Sequence, residues 1–145
     1  MLRTFPDYLP YYNYFGGGTD NGYNIATDSN YDWGQDIKEL GKWVQDNKIK
    51  KIYTDISTSA VPLGYYFGDT EYEYYNITWW GLPESGSYIA VSATMYQNNV
   101  FYKEKYQTAD KKPAEEKMLY DKKYSILKNN LIARIGKTIF IFKVP

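Results

Sequence analysis

Residues 21–36 constrain the fold more than any other part of the chain, because strand-like, turn-forming and helix-starting residues follow one another there. Residues 23–27 predict a short strand, and the polar residues after them predict a sharp corner. Apolar side chains then recur at helical spacing and predict a helix from about Asp32 to about Asn47: Ile37, Leu40, Trp43 and Val44. The β-branched run at 51–57 predicts a second strand, so the region is typical of a βαβ unit with parallel strands.

The remainder of the chain predicts further helices and strands. In order they are a helix at 60–67 started by Pro62, an extended segment at 72–80, a buried strand at 87–94, a solvated helix within 103–128, and a hairpin of 131–135 and 138–144 around Gly136. The prediction is therefore a single α/β domain over residues 21–145. Its sheet would be mixed and mostly parallel, with flanking helices and a C-terminal antiparallel hairpin.

Residues 1–20 differ from the rest in being aromatic, irregular and interrupted by prolines and glycines. Proline removes an amide donor and resists regular helix, so we expect a lead-in that packs through its rings. In a membrane protein such rings suit the boundary between water and lipid. The sequence has no apolar run of the roughly 20 residues that a membrane-spanning helix needs.

The absence of histidine and cysteine excludes more functions than any other feature of the composition. It removes His-based acid–base catalysis, Ser-His-Asp and Cys-His nucleophiles, and zinc sites built from imidazole or thiolate. A metal would have to be held by oxygen, which favours calcium or magnesium. With 17 basic and 17 acidic residues the formal net charge is zero, which argues against a dedicated nucleic-acid binder.

The acidic corner that precedes the helix is the first candidate site. Asp28, Asn30 and Asp32 alternate as calcium ligands do, and Glu39 follows eleven residues after Asp28. Trp33 occupies the position where an EF-hand loop needs glycine, which weakens the calcium interpretation. Three alternatives remain: the polar residues cap the helix while Asp36 favours its positive end, they bind calcium, or they hydrogen-bond sugar hydroxyls.

A second set of polar residues follows the predicted strand at 51–57. Ligands of α/β sheets usually bind where strands end, so Asp55 and Ser57 are expected beside the corner if the two strands are neighbours. Trp79 and Trp80 would offer a platform on which sugars stack, although packing at the rim of the core is the alternative. The predicted substrate-binding residues are Asp28, Asn30, Asp32, Asp36, Asp55, Trp79 and Trp80. No catalytic residue and no cofactor is predicted, calcium being the alternative.

Three separated parts of the sequence also resemble one known family, in the same order. They are residues 8–17 with 21–23, residues 28–36 (Asp-Ser-Asn-Tyr-Asp-Trp-Gly-Gln-Asp), and residues 90–94 with 133–141. They resemble the soluble C-terminal domain of GT-C-class membrane glycosyltransferases of the protein mannosyltransferase-like family. Where that family often has Ser or His near its last strand, this chain has Gly136-Lys137-Thr138. Residues 68–86 and 100–128 carry no resemblance.

The resemblance implies a place and a role. Family members carry many transmembrane helices before this domain and use polyprenyl- or dolichyl-phosphate sugars as donors. It implies an extracytoplasmic location at the cell membrane, with the membrane part of the same polypeptide and the membrane surface as partners. The parent's catalytic carboxylate is expected in a loop between early membrane helices, so the domain would support that site or position the acceptor. A free-standing carbohydrate-binding module is the alternative.

Overall fold

A five-stranded mixed sheet organises the computed structural model, which describes residues 18–24, 31–57, 62–100 and 127–145. The strands are β1 (Lys51–Asp55), β2 (Glu71–Tyr74), β3 (Tyr88–Ser92), β4 (Leu131–Ile135) and β5 (Ile139–Lys143), in the spatial order β2-β1-β3-β5-β4. β1 pairs in parallel with β2 and β3, whereas β5 pairs antiparallel with β3 and β4. An α/β fold with a mixed sheet and a C-terminal hairpin is therefore confirmed, but the pairings divide evenly instead of being mostly parallel.

Helices cover both faces of this sheet. They are α1 (Gly18–Asn21), α2 (Ile37–Asp46), α3 (Leu63–Phe67), α4 (Ile77–Trp80) and α5 (Ala93–Val100), with 3-10 turns at Gly22–Asn24 and Lys128–Asn130. Among the described residues no helix is both long enough and apolar enough to cross a membrane.

The described residues form two hydrophobic clusters, one on each face of the sheet, because successive strand residues point to opposite faces. On one face α2 and α3 pack against the sheet through buried aliphatic and aromatic residues: Ile37, Leu40, Val44, Leu63, Phe67, Ile52, Ala90, Ile139 and Ile141. On the other face the buried residues include Tyr31, Tyr53, Ile77, Val91, Phe140 and Phe142. Each fully buried large apolar side chain contributes about 1.5–3 kcal/mol relative to exposure. Sheet strands buried on both faces explain why β3 and β5 are apolar runs.

The predicted strand at 23–27, which would begin a βαβ unit, is wrong at its first two residues. Residues 22–24 form a 3-10 turn, and residues 25–30 lie outside the described part of the chain. Both sides of β1 are occupied, by β2 and by β3, so a strand at 23–27 has no place beside β1. Both parallel neighbours of β1 instead follow it along the chain, β2 after α3 and β3 after α4.

The helix after the corner begins at Ile37 and not at Asp32. Gly34 has a φ of +80°, a left-handed conformation that glycine adopts easily and that interrupts a right-handed helix. Turns therefore occupy residues 31–36, and α2 ends at Asp46, next to the predicted end at Asn47.

The segment at 72–80 is extended only in β2. The side chain of Asn76 accepts a hydrogen bond from the Trp79 amide at 3.0 Å and starts α4, although Thr and Trp favour strands. The short helix after Pro62, the strand at 87–94 and the terminal hairpin are confirmed, with β3 ending at Ser92 and α5 following it. Residues 101–126, and with them most of the predicted solvated helix, lie outside the described part of the chain.

Gly136, in the turn between β4 and β5, provides a test of this fold. Its φ is +52°, and a Cβ at this position would overlap the carboxyl group of Asp36. Gly136→Ala should therefore lower the free energy of unfolding of the 145-residue chain by about 3 kcal/mol in urea denaturation. Gly86→Ala is the matched control, because Gly86 also has a positive φ (+82°) but has open space around it. The control should lose only about 1 kcal/mol, and equal losses would show that Asp36 does not crowd the turn.

Candidate functional site at the carboxyl end of the parallel strands

Asp36 is the most heavily engaged polar side chain at this end of the sheet. It immediately precedes α2, and only 5% of its surface is exposed. Its Oδ2 atom accepts three hydrogen bonds of 2.8 Å each, from the amides of Lys137 and Thr138 and from the Thr138 hydroxyl. The carboxylate makes no capping bond to its own helix. It therefore attaches the start of α2 to the hairpin turn.

The corner ahead of Asp36 is held by short-range hydrogen bonds. The backbone amide of Gly34 donates to Oδ1 of Asp32 at 2.9 Å. The side-chain amide of Gln35 donates to the backbone carbonyl of Tyr31 at 3.0 Å. Tyr31 is fully buried, and its hydroxyl donates to the Lys137 carbonyl at 3.3 Å. Both ends of the corner thus contact the same turn.

Basic side chains from the hairpin connect α1 to this assembly. Arg134 donates to the carbonyls of Asp20 (2.6 Å) and Lys137 (3.0 Å), and its guanidinium lies over the Tyr23 ring, 5.2 Å from the centroid. The Lys137 ammonium is 2.7 Å from Oδ1 of Asp20 and lowers the pKa of that carboxyl. We call the set of Asp20, Asp36, Arg134, Lys137 and Thr138 the hairpin node.

Asp32 has a partly unsatisfied carboxyl group. Its Oδ2 atom is buried and has no hydrogen-bond partner among the described residues. Burial raises the pKa of Asp32, the bond from Gly34 opposes this, and the nearby charge of Asp36 raises the pKa further. The surroundings therefore favour the protonated form of Asp32 more than water does.

Asp55, the last residue of β1, supports α4. Only 2% of its surface is exposed, and its Oδ2 accepts a hydrogen bond from the Ile77 amide at 3.1 Å. Together with Asn76 it satisfies amides at the start of α4, which no intrahelical carbonyl can reach. α4 carries Trp79 and Trp80, both exposed, and the Trp80 ring contacts the Tyr75 ring edge-on at 5.3 Å.

The structure thus brings the described members of the predicted set to one end of the sheet, where Asp36 and Asp55 bind different partners. Asp36 faces the hairpin turn and Asp55 faces α4, and β3 lies between β1 and the hairpin. The Ser57 amide donates to the Ser92 hydroxyl at 3.2 Å, so this polar residue also contacts the neighbouring strand. Asp28 and Asn30 lie outside the described residues. Within the described part, no group of three or more acidic residues is placed to hold a metal ion.

The partners of Asp36 are too distant along the chain for a local pattern to predict them. Lys137 and Thr138 are 101 and 102 residues away from it, and no local pattern encodes a contact at that separation. The one available signal was the combination of a turn glycine with a donor-rich Lys-Thr pair, which suits an anionic acceptor.

A depression of about 400 Å³ lies at the opposite end of the parallel strands. Its lining includes Lys48, Lys51, Tyr53 and Glu84. The Tyr53 hydroxyl donates to the Glu84 carboxylate at 2.6 Å and accepts from the Lys51 ammonium at 2.8 Å. None of the predicted site residues contributes to it.

Comparisons with models of protein families, with curated proteins and with solved structures find no match to this chain.

The raised pKa of Asp32 predicts a pH-dependent effect of Asp32→Asn. A group whose pKa is raised by folding contributes stability below its unfolded pKa, near 3.8, and that stability is lost as the pH rises through the folded value. Asparagine keeps the acceptor for Gly34 and removes the buried charge. The variant should therefore gain stability relative to the parent chain at pH 7, and this gain should shrink as the pH falls towards 4.

Urea denaturation of both chains at pH 7 and pH 4 measures this difference. Asp46→Asn is the control, because it removes an acidic charge that is exposed at the end of α2. A loss of stability in Asp32→Asn that is the same at both pH values would contradict a raised pKa of Asp32.

Proposed function

We propose that this chain is the extracytoplasmic domain of a GT-C-class membrane glycosyltransferase resembling the protein mannosyltransferases. In this proposal residues 21–145 form one domain that supports the membrane active site or positions the acceptor, and they do not transfer the sugar themselves. The donor would be a polyprenyl- or dolichyl-phosphate sugar, and the catalytic carboxylate would belong to the membrane part of the same polypeptide.

One observation supports the proposal: the described parts of the three sequence segments that resemble the family contact one another at the hairpin node. Asp36 of residues 28–36 binds Lys137 and Thr138 of residues 133–141. The Ala93 amide, in residues 90–94, donates to the Thr138 carbonyl at 2.7 Å. Tyr23, in residues 21–23, lies under Arg134. Segments far apart in sequence that share one set of contacts are what a common framework requires.

The chemistry of the carboxylates supports a structural role for this framework. Asp36 and Asp55 are almost fully buried and accept hydrogen bonds from backbone amides. A general base or nucleophile has to reach its substrate, and neither carboxylate is exposed to do so. A domain of this kind suits support and positioning, with the chemistry supplied elsewhere.

Fractionation of cells that naturally produce the chain tests the proposal. An antiserum raised against the 145-residue chain should detect a membrane-bound protein far larger than 17.0 kDa. Alkaline carbonate washing should leave this band in the membrane, because transmembrane helices are not released by it. A soluble band at 17.0 kDa, with no larger membrane band, would contradict the proposal.

A carbohydrate-binding module is the second candidate, favoured by the exposure of Trp79 and Trp80 on a helix that Asp55 and Asn76 hold in place. The two candidates differ in whether the isolated chain binds oligosaccharide. A free-standing module would bind oligosaccharide as the isolated chain, whereas a supporting domain acts together with its membrane part.

A further inference from the structure

Three lysines lie within four residues where the chain passes from α2 to β1. The sequence there is Asn47-Lys48-Ile49-Lys50-Lys51, in which Ile49 packs into the core and the lysines are exposed. Because β1 and β3 are parallel, their amino ends meet at the same edge of the sheet. The depression of about 400 Å³ lies at this edge, lined by this connection and by the residues that lead into β3.

The lining of this depression carries more positive than negative charge. Its basic residues are Lys48, Lys50 and Lys51, and Glu84 is the one acidic residue among the described residues that line it. The ammonium group of Lys143, at the end of β5, lies 5.6 Å from the ring centroid of Tyr88, which also belongs to the lining. A concave surface with an excess of one charge concentrates ligands of the opposite charge. The depression is therefore suited to an anion.

Lys48 has a backbone conformation that favours glycine. Its φ is +53°, and among the described residues it is the only one other than glycine with a positive φ. Its amide donates to the Gln45 carbonyl, and the Ile49 amide donates to the Val44 carbonyl, both at 3.0 Å. Helices that end with this pair of bonds commonly have glycine at the position of Lys48. A side chain there is strained, and such strain is typical of functional sites.

Hydrogen bonds fix other polar groups of the lining. The Lys51 ammonium donates to the Tyr53 hydroxyl at 2.8 Å and lies 3.3 Å from Oε2 of Glu73. The Tyr53 hydroxyl donates to the Glu84 carboxylate at 2.6 Å, and this bond lowers the pKa of Glu84. A carboxylate has about four acceptor positions, so Glu84 can accept further hydrogen bonds. The Ser87 hydroxyl donates to the Glu84 carbonyl at 2.6 Å, and its oxygen can still accept.

We propose that this depression binds a small phosphorylated compound that carries hydroxyl groups, such as a sugar phosphate. We call the depression the lysine cavity. Its lysines bind the phosphate, which lysine recognises as a point charge, while Glu84 and Ser87 accept hydrogen bonds from the hydroxyl groups. A volume of about 400 Å³ is in the range of small-molecule sites and exceeds what inorganic phosphate alone needs. The inference does not depend on the proposed function.

The mixture of charges distinguishes this ligand from simpler ones. A site for an inorganic anion gains nothing from Glu84, whose charge repels the anion. A neutral sugar would use Glu84 but not the excess of positive charge. A ligand with a phosphate group at one end and hydroxyl groups at the other uses both.

Isothermal titration calorimetry of the 145-residue chain with glucose 6-phosphate tests the inference. Glucose 6-phosphate should bind about tenfold more tightly than inorganic phosphate, because its hydroxyl groups add hydrogen bonds. Glucose alone should give no measurable heat at the same millimolar concentrations. Higher ionic strength should weaken the binding of glucose 6-phosphate, because salt screens the lysines.

Lys48→Gly separates binding from folding. Glycine removes the ammonium group and relieves the strained φ, so the melting temperature should equal or exceed that of the parent chain. The affinity for glucose 6-phosphate should nevertheless fall about fivefold. Lys38→Ala is the matched control, because Lys38 is exposed at the start of α2 and does not line the cavity. Its affinity should stay within about twofold of the parent value.

Glu84→Gln tests the second half of the site. Glutamine removes the negative charge and keeps an acceptor for Tyr53. The affinity for inorganic phosphate should rise, and the preference for glucose 6-phosphate over inorganic phosphate should shrink.

Three results would overturn the inference. They are no binding of glucose 6-phosphate at millimolar concentration, equal losses in Lys48→Gly and Lys38→Ala, and inorganic phosphate binding as tightly as glucose 6-phosphate. The last result would indicate an adventitious ion only. Titration and cell fractionation fail separately. Specific binding beside a soluble 17.0 kDa band would contradict the proposed function alone, and a large membrane band without binding would contradict this inference alone.

Discussion

The buried carboxylate of Asp36 is the interaction on which the arrangement of this fold depends. One oxygen atom accepts three hydrogen bonds from a turn more than a hundred residues away along the chain. Hydrogen bonds to a charged group contribute about 1.5–3 kcal/mol each, and leaving their buried donors unsatisfied is costly. The geometry also requires Gly136, because no side chain fits between the turn and the carboxyl group. The helix, the corner and the hairpin are consequently specified together.

On the other side of β3, Asp55 is a second buried carboxylate that binds a backbone amide. Its carboxylate accepts a hydrogen bond from the Ile77 amide at the start of α4. This bond orients the helix that carries the exposed Trp79 and Trp80. The two aspartates that most suggested a binding site are thus part of the framework.

The sequence predicted the elements whose signals are local. The hairpin was clear from β-branched residues on both sides of Gly136, and α2 was clear from the spacing of Ile37, Leu40 and Val44. The strand predicted at 23–27 is wrong at Tyr23 and Asn24, which lie in a 3-10 turn, and both sides of β1 are occupied by β2 and β3. α4 was missed because Asp55 and Asn76 cap its amides and override the strand preference of its residues.

Predictions about the site divided in the same way. The rule that strand ends meet predicted that Asp55 would lie at this end of the sheet, whereas Asp36 reaches it through the hairpin turn. Their partners did not follow, because Thr138 and Ile77 reach them through the tertiary fold. The lysine cavity likewise depends on strand order, which the sequence did not predict, because the amino ends of β1 and β3 meet there.

A double-mutant cycle between Asp36 and Thr138 tests the central claim most directly. The free energy of unfolding would be measured for the parent chain, Asp36→Asn, Thr138→Val and the double variant. If the carboxylate and the turn act as one unit, the two losses overlap, and the coupling energy should be about 1 kcal/mol or more. Losses that add to within about 0.3 kcal/mol would show that the two residues act independently, and the hairpin node would no longer explain the conformation of residues 31–36.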